Sequence, residues 1–167
     1  MLKGVTISLV PLLGLGSDQQ EKCSKSSGAV EAYHLDKFRG SHAKLLIHHL
    51  CLYTCEEKTT IILFVSPQQM QRNSNWYAVL RDLASRGCIS AVWIDEVHSS
   101  VQNYESFRPE FKSAMDFLHQ LVTISRKSIT RSHFYVPILT MLATFTMSDQ
   151  YVFNKLICRQ PTMVFLG

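Results

Sequence analysis

The chain of 167 residues predicts an α/β fold, a mainly parallel sheet flanked by helices. Two observations carry this. The first is the run Ser90–Ala91–Val92–Trp93–Ile94, which climbs out of Gly87 and Cys88 and ends on Asp95–Glu96–Val97–His98. A short apolar run with β-branched members reads as a strand buried on both faces, as in a parallel sheet. The second is alternation. Strand-like runs stand at Val5–Val10, Val30–Leu35, Thr59–Val65, Val136–Ala143 and Met163–Leu166. Helical patterns lie between most of them, which is the order of a sheet with crossover helices.

Composition bounds the rest. Hydrophobic residues make up 46% and charged residues 18%, so the chain is globular and not disordered. Its length suits one domain, residues 1–167, with a full core. The formal net charge of +4 suits a polyanionic partner without requiring one. Five cysteines, an odd number widely spaced, argue against a secreted disulfide framework and for reduced thiols in cytosol or nucleus. The apolar stretch Val5–Leu15 is broken by Ser8, Pro11 and Gly14. It falls short of the ~20 residues that a membrane span needs, and no other stretch qualifies.

Taken in order, Leu2–Lys3–Gly4 reads as a helix tail stopped by glycine. The strand Val5–Val10 follows, closed by Pro11, which brings no N–H to a ladder. Glu21–Gly28 is polar and reads as a helix end and surface loop. Asp36 is placed to cap a helix reaching about Tyr53, with Phe38, Leu45, Leu46, Ile47, Leu50 and Leu52 available for its buried side. His48, Cys51 and Cys55 on that helix raise a zinc reading. No second ligand pair stands at a structural-zinc spacing, and the plainer reading is buried thiols beside exposed imidazoles. Gln69–Arg86 has Trp76, Val79, Leu80 and Leu83 at helical spacing, Trp76 reads as core, and Gly87 stops the helix. A helix follows Phe111 to about Ile124. Ser125–His133, with Arg126, Lys127 and Arg131, reads as a solvated loop or as a phosphate contact. Ser148 can cap a helix Asp149–Ile157.

Chemistry falls at Asp95 and Glu96, because ligands of parallel sheets sit at the carboxyl ends of strands. Neighbouring side chains leave a strand on opposite faces. One carboxylate can therefore hold a hydrated Mg²⁺ while the other orients a water, the Walker B division of labour in nucleotide hydrolysis. The plainer alternative is an acidic strand end entering a solvated loop.

Beyond His98 come Ser99–Ser106 and then Phe107–Arg108–Pro109–Glu110–Phe111. Asp-Glu-x-His followed at this distance by Phe-Arg-Pro-Glu and an aromatic resembles the RecQ-like branch of the DExH-box ATP-dependent DNA helicases. The likeness extends along most of the chain. Pro11–Leu12, Leu15 and Asp18–Gln19 resemble motif Ia, with Val10 where the family usually has serine. Ser66–Pro67 resembles the end of the following family strand, with Gln68 where glutamate is preferred. Leu142–Ala143–Thr144 resembles motif III, with Leu142 in place of its first hydroxyl residue.

The resemblance implies an incomplete RecA-like P-loop NTPase lobe that lacks the Walker A strand and loop. The sequence holds no Gly-x-x-x-x-Gly-Lys-Ser/Thr, and Gly14-x-Gly16 reads as easing a turn. It implies ATP and Mg²⁺ as cofactors of a full-length parent, with weak or no binding by this chain. Asp95 would hold Mg²⁺ through water, Glu96 would orient the attacking water, and His98 would couple the nucleotide site to DNA. Ala143 and Thr144 would sense that coupling. Pro11, Leu12, Ser66, Pro67, Tyr104 and Arg108 would meet single-stranded or partially duplex DNA. A second RecA-like lobe, the source of an arginine finger, would belong to the parent chain, and the location would be nuclear or cytoplasmic. Three departures matter: the Walker A loop is missing, the second lobe is missing, and Asn103, with Tyr104 beside it, stands where the family has tryptophan, which bears on ATP–DNA coupling. A non-catalytic product of a truncated or decayed helicase-like gene, at most a weak nucleic-acid-binding or interaction module, is the alternative. The resemblance also implies a vacant slot between the strands Ile138–Ala143 and Met163–Leu166, where the Walker A strand would lie.

Overall fold

A computed structural model describes residues 3–10, 20–23, 30–54, 59–94, 109–128 and 136–140. Among the described residues five strands form one sheet: β1 (Gly4–Leu9), β2 (Val30–His34), β3 (Thr60–Val65), β4 (Ile89–Ile94) and β5 (Ile138–Thr140). The helices described whole are α1 (Gly40–Leu52), α2 (Asn75–Ser85) and α3 (Pro109–Ser128), residues 20–23 are helical as well, and 3-10 turns stand at Leu35–Lys37 and Pro67–Met70. The strand order is β2-β3-β1-β4-β5, and every pair is parallel. This is the predicted α/β fold, consistent with a partial RecA-like lobe.

The core explains the register. Val5, Ile7 and Leu9 of β1 stand beside Ile61, Leu63 and Val65 of β3. With Val92 and Ile94 of β4 they form one face, packed against Leu46 and Leu50 of α1, Leu80 and Leu83 of α2, and Leu118 and Leu121 of α3. Trp76 is buried in this cluster, as its spacing predicts.

The join from α2 to β4 is built by Gly87, whose φ of +69° suits a residue without Cβ. The Gly87 N–H donates to Ala84 O and the Cys88 N–H to Leu83 O, a Schellman closure that satisfies two end carbonyls. Arg86 closes α1 from across the fold. Its guanidinium donates to the Leu50 and Tyr53 carbonyls while pairing with Asp82.

Several local expectations are corrected. Gly4, expected to stop a helix, is the first residue of β1, with φ +124°, and residues 1–2 of the expected helix lie outside the described residues. A Cβ there would lie 2.8 Å from Cys88 O and 2.9 Å from Ser90 Cβ, because the β1–β4 register shifts between Val5 and Thr6. Asp36 caps nothing. It sits in the 3-10 turn, and Arg39 precedes α1 without a side-chain cap. Leu45 and Leu52, expected in the core, are 69% and 65% exposed, and the Cys51 thiol is exposed too. The segment Gln69–Arg86 is not one helix. Pro67 opens a 3-10 turn, and α2 begins only where the Ser74 hydroxyl accepts the Trp76 N–H at 3.1 Å. The third helix is longer than expected at both ends. Pro109 lacks the N–H that an N-terminal turn leaves unpaired anyway, and Ser125 at the other end is fully buried in helix, not loop. The segments 141–143, 149–157 and 163–166 lie outside the described residues, and with them the vacant-slot expectation.

Candidate functional site

A parallel sheet brings the carboxyl ends of all its strands to one edge. Here Leu9 is in register with Val65 on one side and Ile94 on the other, and Ile94 with Thr140. The next residues in sequence lead to Pro11–Leu12, Ser66–Pro67, Asp95–Glu96 and Ala143–Thr144. Val65 and Ile94 stand two strand spacings apart, roughly 10 Å. The carboxyl ends of four described strands thus share one short rim. Of the residues picked out from sequence, Asp95, Glu96, His98, Tyr104, Arg108, Ala143, Thr144, Pro11 and Leu12 lie outside the described residues. Ser66 and Pro67 lie within them.

Ser66 and Pro67 are both buried, and Ser66 is only 3% exposed. The Ser66 hydroxyl donates to Asp36 Oδ1 at 3.1 Å, and Gln69 Nε2 donates to the same oxygen at 2.8 Å. Gln69 Oε1 accepts from the Ser74 hydroxyl at 3.1 Å. The turn after β3 is thereby tied to the end of β2 and to the cap of α2, and its exposed side chain is Gln68. Gln71 ties it on the other side. Its Nε2 donates to Pro67 O at 3.3 Å and to Glu110 O at 3.4 Å, at the start of α3.

His34, at the end of β2, is 3% exposed. Its Nε2 lies 3.7 Å from Asp36 Oδ2, beyond hydrogen-bond reach, and its Nδ1 has no partner among the described residues. Burial holds its pKa below the ordinary histidine value, against the pull of the Asp36 carboxylate. Asp36, Gln69 and His34 were not legible as a group. Asp36 stands 30 residues from Ser66 and 33 from Gln69 in sequence, so no local pattern links them.

On the flank of the sheet, Glu31 Oε2 accepts from the Tyr33 hydroxyl at 2.7 Å and lies 3.2 Å from His49 Nε2. Burial, then the Glu31 carboxylate, pushes the Tyr33 phenol up to about 12. Among the described residues no three His, Cys, Asp or Glu side chains gather as a metal site would need, and Cys55 lies outside them. No described helix is long and apolar enough to cross a membrane.

No family model matches the chain. Over 148 residues, 88% of its length, it is 28% identical to the Arabidopsis thaliana protein named ATP-dependent DNA helicase Q-like 2. The chain spans 19% of the length of that relative. The relationship to a RecQ-like helicase is therefore a distant one.

Proposed function

We propose that residues 1–167 form part of the first RecA-like lobe of a RecQ-like, ATP-dependent DNA helicase, inactive without the rest of the enzyme. The observation that carries this reading is the shared rim. The parallel register brings the strand ends Leu9, Val65, Ile94 and Thr140 to one edge of the sheet, and in the sequence Pro11–Leu12, Ser66–Pro67, Asp95–Glu96-x-His98 and Ala143–Thr144 follow those four ends. Ligands of open parallel sheets bind outside that side. The 148-residue likeness to a helicase supports the same reading.

In this reading Asp95 holds Mg²⁺ through water, and Glu96 orients the water that attacks. His98, with Ala143 and Thr144, relays occupancy to the DNA side. Single-stranded or partially duplex DNA lies along Pro11–Leu12, the Ser66–Gln68 turn, Tyr104 and Arg108. Mg-ATP supplies the phosphoanhydride that is cleaved. A helicase of this kind works in the nucleus or cytoplasm. The 167 residues contain no Walker A sequence, so the backbone N–H cradle and lysine that normally hold the phosphates are not among them. That favours, as a second reading, a non-catalytic helicase-like module.

Joining the chain to a Walker A segment and a second lobe decides between the two. The helicase reading expects DNA-stimulated ATP hydrolysis, and the second expects none. In the joined protein, Glu96→Gln should keep ATP binding and lower turnover by about 10²-fold or more, because only the water-orienting charge is lost. Unchanged turnover would remove Glu96 from that role.

A further inference from the structure

A cleft of about 470 Å³ opens between the turn after β3, the first turn of α2 and the middle of α3. That volume is within the roughly 300–1,000 Å³ of small-ligand sites. One wall is aromatic. The Tyr77 ring stacks on Phe117 with centroids 4.1 Å apart and planes inclined by 18°, and Phe117 is buried. The rim is polar and exposed: Arg72, Asn73, Asp116 and Gln120. Among the described residues none of these four side chains is committed to an ion pair or a side-chain hydrogen bond. The cleft's two sides are joined by Gln71, whose amide bridges Pro67 O and Glu110 O.

We propose that this cleft receives one unstacked base of single-stranded DNA, with cytosine or adenine preferred over thymine. The inference rests on the DNA reading above and deepens it. Every base has a π face that an aromatic wall accepts without regard to sequence. The edge of a base needs both donors and acceptors, which the Asn73 and Gln120 amides supply. The Asp116 carboxylate only accepts, so it favours a base that turns an exocyclic amine toward it, as cytosine and adenine do and thymine does not. Arg72 offers a guanidinium for the attached phosphate. The location fits as well: the turn that forms one side of the cleft starts at Ser66, on the rim where the strand is proposed to run.

The test is backbone NMR of the isotope-labelled 167-residue chain, titrated separately with dCMP, dAMP, dTMP, deoxyribose 5-phosphate and a short oligodeoxycytidine. The expected result is shifts at Arg72, Tyr77 and Asp116 with dCMP and dAMP. Binding of dTMP should be at least about fivefold weaker, the low end of what one base-edge contact discriminates. The sugar phosphate alone should leave these residues unmoved. Asp116→Asn, a surface change that spares the core, should erase most of the dCMP-over-dTMP preference. Mononucleotides that leave the cleft unshifted, or dCMP and dTMP binding equally to the unaltered chain, would overturn the proposal. An oligonucleotide that shifts Gln68 and its neighbours but not the cleft would also overturn it while leaving the DNA reading intact. Occupancy of the cleft by dCMP, with no response to the oligonucleotide along the rim, would support the base pocket and count against the DNA reading.

Discussion

The two faces of the sheet are built differently, although the sequence presents both as apolar. One face carries Val5, Ile7, Leu9, Ile61, Leu63, Val65, Val92 and Ile94, and α1, α2 and α3 pack on it. The other carries Gly4, Thr6 and Ser8 of β1, with Ala32, Phe64, Ala91 and Trp93 alongside. Its described cluster is small: Val10, Ala32 and Phe64, with Cys23 and Ile62 against them. Thr6 and Ser8 are nonetheless buried, and Thr6 Oγ1 lies 3.5 Å from Ser90 Oγ. Large branched side chains suit a layer of helices about 10 Å away, as in stacked sheets and helices generally. Small and hydroxyl-bearing ones admit a close approach of backbone. Sensitivity to substitution should therefore be strongly asymmetric between the faces.

The largest effect is expected on the helix-covered face. Leu63 is fully buried there, in the middle of β3 between β1 and β2. Leu63→Ala should destabilise the chain by ~2–5 kcal/mol, the usual cost of lost transfer energy plus a cavity. Urea unfolding of the two proteins checks it, and a loss below ~1 kcal/mol would erase the proposed asymmetry.

Next comes the point where the second face permits no side chain at all. Gly4→Ala puts a Cβ 2.8 Å from a backbone oxygen at φ +124°, a conformation that L-residues rarely adopt. The expected loss is ~1–3 kcal/mol, from backbone strain and displacement at the bulge, with no buried apolar area removed. Ser8→Ala, two rows along the same face, serves as the control and should cost far less. Equal losses at Gly4 and Ser8 would mean that size, not backbone geometry, governs this face.

The strands were legible because apolar runs bounded by Gly, Pro or charge need only local information. Gly87 was legible for the same reason: its role is to end the helix just before it. What stayed hidden is non-local. The role of Gly4 is set by Cys88 and Ser90, residues more than 80 positions away that crowd its Cα. Asp36 looked like a helix cap because caps are local, yet its partners lie beyond β3. Ser125 looked like loop because it opens a basic run, and only the packing of α3 shows that it continues the buried stripe of Leu118, Leu121 and Val122. The candidate site divides in the same way. Its acidic pair could be named from the apolar run that ends at Ile94, and the sheet register adds which other strand ends share the rim with Ile94. The cleft beside Tyr77 had no sequence signal, since its walls come from two helices and a turn.

A smaller effect follows from the buried titratable group on the second face. His34 is in register with Phe64, and burial holds its pKa below the ordinary 6.5. Between the folded value and 6.5 the unfolded chain binds more protons than the folded one. Stability therefore rises with pH in that window, and the contribution is lost as pH falls through 6.5 toward the folded value. Urea midpoints on either side of pH 6.5 should differ less in His34→Gln than in the unaltered chain. An identical pH dependence in both would show that folding does not shift the titration of His34.

The smallest effect is optical, and it uses one reporter on each side of the sheet. The chain has two tryptophans. Trp76 lies among the helices with 3% of its surface exposed, whereas Trp93 projects from the second face with 38% exposed. Trp93 stands in register between Ser8 and Leu139, and Leu139 is itself 48% exposed. Single-tryptophan proteins made by Trp76→Phe and Trp93→Phe separate the two signals. Acrylamide should quench Trp93 more strongly than Trp76, and the Trp93 emission should lie further to the red, because water reaches its ring. Trp93→Phe should also cost less stability than Trp76→Phe, since an indole that is more than a third exposed leaves less packing to lose. Equal quenching of the two would mean that the second face is as fully covered as the first, and the asymmetry would then be one of residue size alone.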